Sequence, residues 1–355
     1  GMIRFSYVFF TLLLIVSCGD SKEGTEKPSS PRIRKSTNVE SPVQNQNFIR
    51  GSQIAVELNS SEGFSIDSVE VTVGDVSTTF YQKSFNIEMP NRKVGSWRLL
   101  IRIFDGENSE THYRKVVILP ENEPEELTYS IENTFPHDTD DYTQGLLIKD
   151  GILYESTGQR GESTFKKKNL TTGETIKVVN LASNLFGEGL AAINDEFYQL
   201  TWTSGQGFVY NQEMERVRTF NYQVEGWGLT TLGNELVLTD ETEKIYFIEP
   251  QSFTIQRELE VFDDNGKIDA INELEVIDGL IYANVYQEDY LVVIDPETGE
   301  VLQKIDCSGM LTDEEAEKAD VLNGIAYDAE TGKIYLTGKW WPKLFEVTFQ
   351  PKTIQ

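Results

Sequence analysis

Gln144-Gly-Leu-Leu-Ile148 is the first of five related stretches. The others are Glu188-Gly-Leu-Ala-Ala192, Trp227-Gly-Leu-Thr-Thr231, Asn272-Glu-Leu-Glu-Val276 and Asn323-Gly-Ile-Ala-Tyr327, and their starts lie 44, 39, 45 and 51 residues apart. Each runs into a turn and then a second strand-like segment. The turns are Lys149-Asp150-Gly151, Asn194-Asp195, Gly233-Asn234, Asp278-Gly279 and Asp328-Ala-Glu-Thr-Gly332, which hold the residue types hairpins need. A period of about 45 residues with all-β patterning predicts blades of four strands, and five repeats predict a five-bladed β-propeller over residues 127–350. The last repeat has strands near 325–327, 334–337 and 344–349, one short of four. The segment from Leu127 to Phe135 precedes the first repeat and can supply the missing strand, closing the ring and removing open sheet edges. The stretch Thr312 to Asp320, rich in Glu, Ala and Lys, predicts a short helix in the last connection.

Upstream the pattern changes. Ile54-Ala-Val-Glu-Leu58, Ser68-Val-Glu-Val-Thr-Val73 and Trp97-Arg-Leu-Leu-Ile-Arg-Ile103 alternate apolar and polar residues, the signature of half-buried strands. Residues 48–120 are therefore expected to form a small immunoglobulin-like β-sandwich, so that the fold class is all-β. The acidic segment Pro120-Glu-Asn-Glu-Pro-Glu-Glu126 marks the boundary. Gly1, ahead of Met2, reads as a remnant of expression. Arg4, an apolar run from Tyr7 to Val16 and Ser17-Cys18 resemble a bacterial lipoprotein signal over residues 1–18, with Cys18 as the acylated residue. The run is too short to span a bilayer, which takes about 20 residues. Residues 19–47, rich in Ser, Pro, Lys, Glu and Asn, are expected to be a flexible tether. The protein is thus expected to be exported and anchored to a membrane through Cys18, in the periplasm or at the outer membrane.

Composition removes several function classes. Asp and Glu outnumber Lys and Arg by 58 to 31, a net charge of −27 over 355 residues, which disfavours nucleic acid as a partner. Of the two cysteines, Cys18 is assigned to the anchor and Cys307 is left without a partner, so no disulfide framework or Cys-rich zinc motif arises. Two histidines, His112 and His137, in different regions, are too few for a zinc hydrolase site. No cofactor and no catalytic metal are expected.

The repeat also places chemistry. Its opening residues are Gln144, Glu188, Trp227, Asn272 and Asn323, and fourteen residues after the first four come Gly158, Trp202, Glu241 and Tyr286. In the fifth repeat the equivalent residue, after a longer turn, is Lys339. These are matching points in five blades, so they should face one end of the channel. A structural ring would repeat one residue type. This one mixes aromatics, amides, carboxylates and a lysine, the make-up of a pocket with apolar walls and a few convergent polar groups. Taken singly, Trp202, Trp227 and Tyr286 read equally well as packing aromatics, and Glu188 as a rim residue.

Phe135-Pro-His-Asp-Thr-Asp-Asp-Tyr-Thr-Gln-Gly-Leu146, Glu155-Ser-Thr-Gly158, Phe186-Gly-Glu-Gly-Leu190, Glu225-Gly-Trp-Gly-Leu-Thr230, Ile271-Asn-Glu-Leu-Glu275, Leu322-Asn-Gly-Ile-Ala326 and Gly338-Lys-Trp-Trp-Pro342 follow one another in order. Together they closely resemble the plant and bacterial type of glutaminyl cyclase, the metal-independent propeller family that includes the papaya latex enzyme. The resemblance covers about residues 129–349 and leaves out the sandwich. It implies that Glu188 is the catalytic glutamate and that Gln144, Trp202, Trp227, Asn272 and Lys339 line the substrate pocket. Tyr142 stands where the family usually has Phe, and Tyr286 where it usually has Trp; both keep an aromatic face, which implies altered substrate preference. The implied activity converts N-terminal glutamine of peptides or proteins to pyroglutamate and releases ammonia.

Cyclisation joins the α-amine to the substrate's own γ-carboxamide carbon. One carboxyl group can take the amine proton and return it to the departing nitrogen. Burial of Glu188 among aromatic walls should raise its pKa toward the working pH. Lys339, Gln144 and Asn272 are the donors available to the oxyanion, and the sequence does not choose among them. Two other classes stay open at this point. One is a non-catalytic propeller lipoprotein that binds peptides or glycans. The other is a metal-dependent propeller hydrolase or lactonase, with calcium on Glu188, Glu241, Asn272 and Asn323.

Overall fold

The computed structural model describes residues 34–353. The expectations for Gly1, for the leader ending at Cys18 and for the tether up to residue 33 lie outside those residues.

The N-terminal region is built from two sheets. One has three strands, in the order Thr37–Ser41, Ile54–Ser60, Ser84–Ile87. The other has five, in the order Gln46–Ile49, Asn108–Leu119, Gly95–Asp105, Ser68–Val73, Val76–Phe80. Burial alternates along Ile54–Ser60 and Ser68–Val73, as the sequence pattern requires. The inward residues form one core that includes Val39, Ile54, Val56, Val71, Ile101 and Val116. Each such side chain contributes about 1.5–3 kcal/mol on leaving water.

The tether assigned to 19–47 is too long at its C-terminal end. Strands occupy Thr37–Ser41 and Gln46–Ile49. Val39 is buried in the core, and the Thr37 hydroxyl, also buried, bonds Glu110. One aliphatic among polar neighbours leaves too little periodicity to betray a strand; its place is fixed by Ile54–Ser60 alongside it.

From Thr143 onward the chain makes antiparallel meanders, five among the described residues. The first is Thr143–Lys149, Ile152–Thr157, Thr164–Lys168 and Thr175–Asn180. The second, third and fourth begin at Gly187–Ile193, Leu229–Leu232 and Ile271–Ile277, each with three further strands. The fifth has Leu322–Asp328, Lys333–Gly338 and Lys343–Pro351, and its fourth strand is Glu125–Pro136 from the other end of the region. That strand runs antiparallel to Lys343–Pro351 and parallel to Val301–Asp306, fusing the fourth and fifth meanders into one eight-stranded sheet.

The first strands of successive meanders touch one another, and the fifth touches the first, so the inner strands form a closed circuit. This explains the glycine that stands second in four of the five repeats, Glu273 taking the place in the fourth. A Cβ on Gly145 would lie 2.6 Å from Leu190 N, and one on Gly189 would lie 2.4 Å from Leu229 N. Only glycine lets neighbouring inner strands approach this closely. The predicted helix is one turn, Asp313–Ala316, held by a capping box between Thr312 and Glu315.

The two regions dock through polar contacts. Arg50 Nη2 lies 2.6 Å from Glu300 Oε2, with both side chains 8% exposed. Ser96 N donates to Glu260 Oε1 at 2.9 Å, and Val94 N donates to the carbonyl of Thr298 at 3.0 Å.

Candidate active site

The inner strands are buried along most of their length, and their opening residues converge at one end of the circuit. There they enclose a cavity of about 300 Å³ lined by Tyr142, Gln144, Gln159, Phe186, Glu188, Trp202, Trp227, Asn272, Tyr286 and Lys339. Every residue the sequence assigned to the substrate site is among them. Gln159, at the end of the first hairpin, and Phe186, at the start of the second meander, are additions.

Glu188 enters from the first strand of the second meander and is 4% exposed. Burial pushes its carboxyl well above the ordinary range. The nearby Lys339 pulls it back down and the Glu225 carboxylate pushes it further up. Gln144 Nε2 donates to Glu188 Oε1 at 3.3 Å, and Asn323 Nδ2 donates to Gln144 Oε1 at 3.2 Å and to the carbonyl of Thr143 at 2.9 Å. Asn323 therefore stands behind Gln144 and fixes which way its amide faces. The backbone of Glu188 is held from behind: its carbonyl accepts from Ser156 Oγ, which accepts from Gln199 Nε2 at 2.8 Å, while Tyr210 donates to Gln199 Oε1 at 2.9 Å.

Lys339 closes the opposite side, 2% exposed, with Nζ 4.5 Å from the ring centre of Tyr142 and 5.0 Å from that of Tyr286. Burial pulls its pKa below the usual lysine value, against the attraction of Glu188 and Asp320. The aromatic walls support one another edge to face. Trp227 meets Tyr286 at 5.5 Å, and Phe186 meets Trp202 at 5.5 Å and Tyr142 at 6.0 Å. Asn272 is 3% exposed, and its Oδ1 has no partner among the described residues.

Three positions of the repeat do not line the cavity, Asn323 being one of them, behind Gln144. Gly158 backs onto Phe186, whose ring would lie 2.3 Å from a Cβ there, and Glu241 is exposed. The oxygen set Glu188, Glu241, Asn272 and Asn323 is thus not brought together for calcium. A different buried cluster, His137, Asp141 and Glu155, places its ligand atoms within 4.8 Å of one another. Lys168 Nζ already serves it, 2.8 Å from Asp141 Oδ2 and 3.0 Å from Glu155 Oε1. His137 Nε2 lies 2.9 Å from Glu155 Oε2, and Nδ1 lies 2.6 Å from the carbonyl of Trp341. The charges of His137 and Lys168 overcome desolvation and hold the Glu155 carboxyl far below its usual range. The Trp340 amide donates to the Asp141 carbonyl at 2.8 Å, so this cluster ties the segment bearing Tyr142 and Gln144 to the hairpin bearing Lys339. Elsewhere, Glu273 Oε1 and Asn284 Oδ1 are buried without a partner among the described residues.

The family model described as glutamine cyclotransferase matches residues 104–349. A glutaminyl-peptide cyclotransferase of Arabidopsis thaliana is 36% identical over 219 residues, 60% of this chain and 68% of that one. The crystal structure of Myxococcus xanthus glutaminyl cyclase superposes with a TM-score of 0.60 at 37% identity, covering 65% of this chain and all of that one.

Proposed function

Because the chain belongs to the glutamine cyclotransferase family and is a glutaminyl-peptide cyclotransferase, we propose how its residues divide the work. Glu188 is the general base and then the general acid. The observation that carries this is a single buried carboxyl, raised in pKa, at the wall of an aromatic cavity and facing a buried lysine.

The substrate's N-terminal glutamine enters with its side chain folded back against Trp202, Trp227 and Tyr286, so that the amine meets the γ-carbonyl carbon. An α-amine has a pKa of about 8 and must lose a proton to attack. The ammonium proton goes to solvent, and ionised Glu188 takes one of the two hydrogens left on the amine nitrogen, as a proton, while the new C–N bond forms. The protonated carboxyl then returns it to the amide nitrogen, the old C–N bond breaks, and ammonia leaves. A raised pKa makes both steps feasible in one group near neutral pH. Lys339 faces the developing oxyanion as the cationic donor. Gln144 is already committed to Glu188 and Asn323, so its part is to orient the carboxyl. Asn272 Oδ1, an acceptor without a partner among the described residues, takes a substrate N–H.

The meander circuit is read as a five-bladed β-propeller, supported by the four-stranded order of each sheet and by the contact of the fifth inner strand with the first. The upstream region is read as an immunoglobulin-like sandwich, supported by its two sheets and shared core. For the whole protein we propose export and membrane anchoring through acylated Cys18, supported by the leader pattern before that cysteine. The deciding experiment for the activity is mass spectrometry of a Gln-initiated peptide incubated with the protein. Loss of one ammonia is expected, and an unchanged mass sinks the assignment. For the anchor, metabolic labelling with a fatty acid should mark the wild type and not Cys18→Ser.

A further inference from the structure

The connection between the second and third meanders carries a residue behind two walls of the cavity that neither the repeat nor the mechanism above uses. Glu225 lies just ahead of Trp227, half-buried. One of its oxygens, Oε1, accepts from Trp202 Nε1 and is approached by Trp227 Nε1 at 3.4 Å. The two indoles come from different meanders, and both line the cavity. A single carboxylate oxygen therefore ties two walls of the site together.

We propose that Glu225 is a positioning residue of the cyclase: it holds the indoles of Trp202 and Trp227 in register as the platform for the folded-back glutamine. This rests on the role given to Glu188 above.

The positioning follows from geometry. An indole has one polar atom, a donor, and a half-buried indole turns until that donor is satisfied. Both donors on one charged acceptor fix two ring planes with one group, and hydrogen bonds to a charged acceptor are stronger than neutral ones. Arg160, whose guanidinium lies 5.5 Å from the Trp202 ring centre, braces the outer side of the same indole. The charge of Glu225 bears on the site as well. Lys339, Glu225, Tyr142 and Tyr222 interact electrostatically with Glu188, and Tyr286 lines the same cavity. Tyr142 and Tyr222 are themselves pushed up by burial and stay neutral, so Lys339 and Glu225 act on Glu188 with opposite signs. Lys339 favours the carboxylate and Glu225 favours the acid.

The test compares Glu225→Gln with Glu225→Ala in the full protein. Gln keeps an oxygen for the indoles and removes the charge. The acidic limb of the kcat/KM profile should then move down by about half a pH unit with KM little changed. Ala removes both, so KM for a Gln-initiated peptide should also rise about tenfold. The tryptophan emission should shift to longer wavelength in the Ala variant and less in the Gln variant. Folded variants with wild-type KM and an unmoved acidic limb overturn the inference. The control Glu188→Gln keeps the two ideas apart. If that variant is dead while both Glu225 variants behave as wild type, only the inference falls; if it is active, the role of Glu188 falls first.

Discussion

The upstream region and the meander circuit are both made of antiparallel strands, yet they bury their residues in opposite ways. In Ile54–Ser60 burial alternates residue by residue, and what is buried is aliphatic. In Thr143–Lys149, Gly187–Ile193, Ile271–Ile277 and Leu322–Asp328 most residues are buried in unbroken runs, and those runs contain Gln144, Glu188, Asn272, Glu273 and Asn323. A strand with one face in water needs apolar residues on the other face only. A strand enclosed on all sides by its neighbours must bury whatever it carries, and a buried polar group costs about 1–3 kcal/mol when left unpaired. Polar residues kept in such strands signal something other than stability. The difference teaches where to look for chemistry: at the ends of the enclosed strands rather than along the alternating ones.

The sharpest test is Glu188→Gln, which keeps volume and hydrogen bonding and removes the proton acceptor. Ammonia release should fall by about a hundredfold or more, with the melting temperature close to the wild type. Near-normal turnover would break the comparison at its centre.

Ile101→Ala is the converse. Ile101 is fully buried in the upstream core. The change should cost about 2–5 kcal/mol in denaturant unfolding of that region and leave kcat and KM of the folded protein alone. A changed KM would mean that the two regions are coupled through the Arg50–Glu300 contact.

Tyr286→Ala should have a smaller, kinetic effect. It removes a wall facing Lys339 and Trp227 and lets water toward Glu188, whose raised pKa comes first from burial. A carboxyl released from burial ionises at lower pH, so the acidic limb of the rate profile should move down, with activity reduced about tenfold. Tyr286→Trp should keep both near the wild type. A lowered melting temperature with an unmoved limb would make Tyr286 a packing residue only.

The smallest expected effect is that of a chelator. The proton transfers run through Glu188 and the oxyanion faces Lys339, so kcat of the folded enzyme should be unchanged after exhaustive chelation. A loss of turnover restored by zinc or calcium, without any change in folding, would return the metal-dependent reading.

Much of the cavity was legible because the repeat sets the phase. Residues at equivalent points of successive meanders arrive at the same end, and Gln144, Glu188, Trp227 and Asn272 do so. Tyr142, Phe186 and Glu225 each sit two residues before an opening residue of the repeat. Since side chains alternate with period two, that offset was a signal for Phe186 and Glu225 that the reading did not use. Phase did not settle direction. Glu241 occupies the right place in its hairpin and yet is exposed, while Asn323 has the right phase and yet stands behind Gln144. The strand Thr37–Ser41 was hidden for another reason: its single buried aliphatic, Val39, acquires meaning only when Ile54–Ser60 lies beside it.

The sequence by itself determined the number and spacing of the meanders, the strand that returns to complete the last of them, and the residue types gathered at one end. Those follow from local rules, because turn chemistry and apolar periodicity act over a few residues and the repeat copies them. Only the tertiary structure decided what the gathered residues become. The pKa of Glu188 is raised by walls from other meanders, opposed by a lysine from the fifth and reinforced by a carboxylate ahead of the third. Desolvation and charge act through space across a closed circuit, and no stretch of chain contains that circuit until its last strand has met its first.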